Sequence, residues 1–268
     1  MVRVLESNKL WNSLDELGKV LQRSYSVTGK EAIRKQYMNQ VKQYPLYLKW
    51  FEKISSAIPK NKNLIIIEYG SGPGLLAKKI INNHKVKEYI IIEPERIFRE
   101  MTRKITDRKV KIIASVAEEF KYKKQADFII ATATYHHMYD KLRSLSNIYK
   151  NLKKGGKLIL GEVFIPEYSL RKDYNPADKV EFVEKVLSYV VEQIISMPNP
   201  KREDIIDQIK TAFLDILRIE ESKVCISVLK KQLKAIGFKD IKVELMKTKS
   251  KKINNKNLGW YFITAIKK

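Results

Sequence analysis

The sequence predicts an α/β fold in which a largely parallel sheet carries helices on both faces and a helical cap. Three observations predict it. Five short apolar runs, residues 64–68, 89–93, 110–114, 127–131 and 157–162, recur about every 20–30 residues with helical segments between them, as successive βαβ units do. A glycine-rich turn, Gly70-Ser71-Gly72-Pro73-Gly74, joins the first run to a helix starting at Leu75. Beyond Pro166 the alternation stops, and two amphipathic helices occupy residues 167–222.

Taken in order, residues 1–60 read as a helical region contributing to the cap. Leu10, Leu14, Leu17 and Leu21 recur at helical spacing, and Tyr37, Val41, Trp50, Phe51 and Ile54 continue the pattern after a break near Pro45. Residues 61–166 form the ligand-binding core, whose fifth run follows a Gly155-Gly156 turn. In the insertion, Val183, Val186, Leu187, Val190, Val191, Ile194 and Ile195 mark one apolar face, and Ile205, Ile209, Ala212, Phe213 and Ile216 another. Met197-Pro198-Asn199-Pro200 is the loop between them. Residues 223–268 supply a helix capped at Gly237 and two strands, about 240–247 and 259–266.

Composition narrows the function. The chain has 268 residues, enough for a full core, and 44% hydrophobic against 31% charged residues is ordinary for a soluble globular protein. No apolar run reaches bilayer length, the first residues lack a signal-peptide pattern, and a single cysteine, Cys225, excludes an intrachain disulfide. A cytoplasmic setting is therefore expected. The net charge of +23 invites a nucleic-acid partner, but the basic residues are mostly lysines spread over nearly every helix and loop.

The glycine turn is preceded by Glu68, two positions before Gly70, in the spacing Glu-x-Gly-x-Gly-x-Gly. Glycines there let the backbone approach a ligand closely and adopt conformations closed to other residues. Glu93 ends the next run and is followed by Pro94, and a carboxylate at that place suits the two hydroxyls of a ribose. This arrangement resembles the class I S-adenosylmethionine-dependent methyltransferases, whose Rossmann-like sheet has seven strands with the last inserted antiparallel beside the fifth. The resemblance implies S-adenosylmethionine as cofactor, Glu68 orienting its ammonium, and Gly70, Ser71, Gly72 and Gly74 lying against it. It extends to Ser115-Val116-Ala117-Glu118, where many relatives carry Asp in place of Val116 to reach the adenine. That contact is absent here, or comes from Glu118 or the backbone of Ala117. The segment after the fourth run completes the cofactor candidates with Ala131, Thr132 and Tyr135.

A methyl acceptor that begins as an ammonium or hydroxyl must lose a proton, and Glu162, His136 and His137 are the candidate bases near the strand ends. No third ligand accompanies the two histidines, so no metal is expected. Thr132-Ala133-Thr134-Tyr135 stands where enzymes acting on base amines carry Pro-Pro-aromatic, and Cys225 lies far from the loops where a pyrimidine nucleophile belongs. The leading expectation is N- or O-methylation of a small-molecule, natural-product or peptide-end acceptor, read by Tyr168, Arg171, Asp173 and Tyr174 in a lid formed by residues 167–222. The alternatives are an RNA methyltransferase, or a regulatory subunit that binds the cofactor without turnover.

Overall fold

The computed structural model describes residues 45–60, 62–106, 110–168, 176–217, 222–247 and 255–268. The helices expected before residue 45 lie outside the described residues, as do Arg171, Asp173 and Tyr174. Seven strands, β1 (Leu64–Tyr69), β2 (Val86–Ile92), β3 (Val110–Ile113), β4 (Ala126–Thr132), β5 (Leu152–Val163), β6 (Phe238–Leu245) and β7 (Trp260–Lys267), form one sheet in the order β3-β2-β1-β4-β5-β7-β6. The first five pair in parallel, and β7 runs antiparallel between β5 and β6, as the resemblance implied. Ile66, Ile67, Ile90, Ile129 and Ile130 are fully buried, which is why the central strands read as unbroken apolar runs rather than alternating ones.

Helices α1 (Pro45–Ser56), α2 (Leu75–Asn83), α3 (Arg96–Ile105), α4 (Lys141–Asn151) and α7 (Ile226–Ile236) accompany the sheet. On α1, Trp50 is fully buried, donates its indole N–H to the Tyr261 carbonyl at 3.0 Å and packs on Trp260 with centroids 4.5 Å apart. Gly161 makes room for it: a Cβ there would stand 3.0 Å from the Trp50 ring. Gly237, with φ +108°, ends α7 as expected.

By internal contacts, one compact unit comprises Pro45–Val163, Ser227–Lys247 and Trp260–Lys268, and the other includes Phe164–Ile226 and Thr248–Gly259. The sequence-derived boundaries differ: α1 belongs with the sheet, and the stretch before β7 belongs with the insertion. The second unit is built on α5 (Pro176–Ser196), α6 (Arg202–Leu217) and α8 (Asn255–Leu258). The single apolar face expected on α5 is divided here. Val186 and Val190 are buried and Gln193 donates to the Leu258 carbonyl at 3.1 Å, whereas Leu187, Val191 and Ile195 are exposed. Residues one apart on a helix point about 100° apart, so the apolar arc is wider than α6 and α8 cover. A buried Lys223–Asp215 ion pair of 2.7 Å closes this unit beside α6. No described helix is long and apolar enough to cross a membrane.

The parallel topology also gathers lysines that the sequence disperses. Lys60 and Lys62 before β1, Lys85 and Lys87 at β2, Lys121, Lys123 and Lys124 before β4, and Lys154 early in β5 are all exposed near the amino ends of the strands.

Candidate active site

Register decides which residues meet at the carboxyl ends. Tyr69 is level with Ile92 on one side and Ala131 on the other, and Thr132 is level with Gly161. Strand β5 therefore overruns β4, so the backbone leaving Thr132 turns back over Glu162.

Between β1 and α2, Gly70, Gly72 and Gly74 have φ of +63°, +52° and +80°, all in the left-handed region. A Cβ on Gly70 would stand 2.2 Å from Thr134 Oγ1, and one on Gly74 2.8 Å from Thr102 Cγ2, so both positions exclude a side chain on steric grounds as well. Thr102, buried on α3, donates to the Gly72 carbonyl at 3.0 Å. Thr134 reaches the Gly70 carbonyl at 3.2 Å. Neither threonine was singled out from sequence, because each acts on a loop that is remote along the chain.

Two carboxylates stand at this loop. Glu93 accepts the Gly72 N–H on Oε2 at 3.1 Å and the Glu95 N–H on Oε1 at 3.0 Å. Burial pushes it up to about 7, outweighing these two bonds. Glu68 is buried and accepts the Tyr89 hydroxyl at 2.7 Å, and burial again dominates, raising it to about 7 with the nearby Glu93 charge adding to the effect. Pro94 is exposed and its carbonyl accepts from Arg99.

At the end of β4, Ala133 has φ +49°, and its N–H donates to the Gly161 carbonyl at 2.7 Å. The short 3₁₀ turn Tyr135–His137 follows. Glu162, fully buried, accepts the N–H groups of Thr134 at 3.1 Å and Tyr135 at 2.6 Å on Oε2 and that of Val163 at 2.7 Å on Oε1, and Oε1 also lies 2.6 Å from His136 Nδ1. Burial alone would raise this carboxyl, but the His136 ring and the backbone donors hold it below the ordinary range. His137 is exposed and tilts over the His136 ring, with centroids 4.0 Å apart.

The structure thus brings Glu68, Gly70, Ser71, Gly72, Gly74, Glu93, Thr132, His136 and Glu162 to the carboxyl ends of adjacent strands, and assigns some of them other work than expected. Glu162 is no free base, since its oxygens are occupied by donors from the turn. Tyr135, expected at the cofactor, directs its hydroxyl to Gln232, and its carbonyl accepts from buried Lys141 at 3.2 Å, so it anchors the turn. Ala131 is fully enclosed within β4. Val116 is 37% exposed just after β3, an apolar surface where relatives place an acid. Glu118, the alternative adenine partner, instead accepts the Asp140 N–H at 3.2 Å, and the Ala117 carbonyl accepts from Asn147.

These residues fit S-adenosylmethionine. Among the described residues each Glu93 oxygen accepts one backbone N–H, which leaves both with a lone pair of the kind a ribose hydroxyl would use. Glu68 is a buried carboxyl that, when ionised, would suit a cationic end. The Thr132 hydroxyl is buried without a hydrogen-bond partner among the described residues, an acceptor and donor in waiting.

Comparison with known proteins agrees. The methyltransferase domain family matches residues 41–195, more than half of the chain. A malonyl-[acyl-carrier protein] O-methyltransferase of Priestia megaterium is 23% identical over 48% of this chain and 50% of its own length. An uncharacterized methyltransferase of Oceanobacillus iheyensis is 27% identical over 51% of this chain and 60% of its own. The chain thus spans half to three-fifths of these curated relatives. Among solved structures, a possible histamine N-methyltransferase from Thermotoga maritima aligns over 89% of this chain and 97% of its own at 20% identity, TM-score 0.57. Haemonchus contortus phosphoethanolamine N-methyltransferase 2, solved with S-adenosyl-L-methionine, aligns over 82% of this chain and 52% of its own at 14% identity, TM-score 0.57. The chain belongs to the methyltransferase domain family, and its seven-stranded sheet is the Rossmann-like fold of class I S-adenosylmethionine-dependent methyltransferases.

Proposed function

We propose that the enzyme methylates a nitrogen or oxygen of a small-molecule, natural-product or peptide-end acceptor. The observation that carries this reading is the buried His136 imidazole, 2.6 Å from Glu162 on the turn after β4. An ammonium or hydroxyl acceptor must shed a proton, and a held imidazole beside the strand ends is suited to receive it. The cofactor, when bound, supplies a methyl group already activated on sulfonium, so the chain's part is alignment, exclusion of water and proton handling. In this reading Glu93 takes the ribose hydroxyls, Glu68 faces the cationic end, and Val116 lies against the adenine.

Residues 167–222 are proposed to cover the acceptor and read it. Chain connectivity supports this, since the insertion leaves β5 directly after Glu162 and Val163. Tyr168, half-buried and edge-on to Phe182 at 5.4 Å, is the described member of the acceptor-reading set that includes Arg171, Asp173 and Tyr174. The similarity to a malonyl-[acyl-carrier protein] O-methyltransferase favours a carboxylate oxygen, an acceptor already anionic that needs no base. A nucleic-acid reading is favoured by the gathered lysines alone. They stand at the opposite ends of the strands from Glu93 and Glu162, so a polyanion held there is not thereby offered to the cofactor.

A thermal-shift screen of amines, phenols and carboxylic acids with S-adenosylhomocysteine present, followed by methyl transfer from labelled cofactor, tests the proposal. A hit of one of these classes that is methylated supports it. Methylation of RNA, with binding that falls steeply as salt rises, would replace it.

A further inference from the structure

We infer that Glu162 is a positioning residue: its carboxylate fastens the turn after β4 onto β5 and holds His136 with Nδ1 as the donor, so that the neutral ring is the Nδ1–H tautomer. The inference rests on the proton-acceptor reading of His136 and says how that role is prepared.

The argument is one of donors and acceptors. The backbone N–H groups of Thr134, Tyr135 and Val163 can only donate, and they approach both oxygens of a fully buried carboxylate. An oxygen so engaged meets His136 Nδ1 at 2.6 Å as an acceptor, which requires the proton to be on Nδ1. A neutral imidazole carries only one ring proton, so Nε2 bears the lone pair. The His136 backbone N–H also points to Oε2, at 3.4 Å, so the same side chain holds both the ring and the backbone of this residue. The turn is held from other sides as well. Lys141 Nζ donates to the carbonyls of Tyr135 and Met138, at 3.2 and 3.0 Å, and Tyr135 is tied to Gln232. The ring is therefore presented in one place and one tautomer before any acceptor arrives.

Glu162→Gln separates the two functions. With the carboxamide oxygen kept on Thr134 and Tyr135, the NH₂ gives up the Val163 N–H and faces Nδ1, which drives the ring proton to Nε2. The chain contains three histidines, so nitrogen-15 imidazole spectra of the full-length protein hold three ring systems, assignable by single His→Gln variants. The expected wild-type result at pH 7.5 is a neutral His136 protonated on Nδ1. In Glu162→Gln the proton moves to Nε2, and turnover of an identified acceptor falls by about 100-fold or more while cofactor affinity is retained. A wild-type His136 protonated on Nε2, or doubly protonated at pH 7.5, overturns the inference, as does an unchanged tautomer in the variant. The wild-type spectrum decides even if the variant fails to fold. An Nδ1–H tautomer combined with full turnover in His136→Gln would sustain the positioning role and reject the base.

Discussion

On the roles proposed for Glu68 and Glu93, lowering the pH from 7.5 to 5.5 will weaken S-adenosylmethionine binding, because both buried carboxylates would serve the cofactor as anions. Burial lifts both Glu68 and Glu93 to about 7 in the free protein, against the bonds from Tyr89, Glu95 and Gly72 that lower them. Both stand above their unfolded values, so the native protein carries extra protons between the ordinary carboxylate range and 7, and loses stability as the pH rises through that window. The bound cofactor's positive charge favours the anions and releases those protons. If one carboxylate must ionise, the competent fraction is about one half at pH 7, about one in eleven at pH 6 and about one in thirty at pH 5.5, and Kd rises by the inverse. If both must, the factors multiply. Titration calorimetry across this range, in pairs of buffers with different ionisation heats, reads Kd and proton release together. The range stays below the titration of the cofactor's own amino group, roughly 7.7–8.0 for an α-amine. Glu68→Gln should flatten part of the curve. Affinity that holds or improves at pH 5.5, with no proton released on binding, would refute the reasoning.

Other outcomes follow from single contacts. Glu93→Ala should weaken cofactor binding by about 1–3 kcal/mol through lost charge-assisted bonds to the ribose, and calorimetry showing unchanged affinity would mean the ribose lies elsewhere. Gly72→Val forces a branched side chain into a backbone with φ +52° and should abolish cofactor binding while circular dichroism stays near wild type; normal affinity would dismiss the glycine loop as the site. Asp215→Ala removes the acceptor of both the Lys223 ammonium and the Lys223 backbone N–H and should cost about 3–5 kcal/mol in denaturant unfolding, whereas an unchanged midpoint would show that the buried pair contributes nothing. Deleting residues 167–222 should abolish acceptor discrimination; a folded deletion variant with unchanged substrate preference would remove the lid proposal.

Much of this architecture was legible in one dimension because its causes are local. A strand buried on both faces must be continuously apolar, as in residues 64–67, and a strand that turns at once into a helix over a ligand needs glycines at Gly70, Gly72 and Gly74. Glu68 and Glu93 could be named because the glycine turn sets their register. The work of Glu162 was not legible: its state is set by N–H groups from residues 134 and 135, which reach it only because β5 overruns β4. Nor could sequence pair Tyr135 with Gln232, 97 residues away, or Thr102 with the Gly72 carbonyl. It also read one apolar face on α5 where the fold covers only part of it, and dispersed lysines where the parallel strands collect them. Periodicity and backbone freedom belong to neighbouring residues and are written in the chain, so the sequence determined the strands and the glycine loop, and the cofactor class entered through the family resemblance that the loop carries. A carboxylate's availability, a histidine's tautomer and a surface's charge depend on which distant groups arrive beside them, and only the tertiary structure decided those.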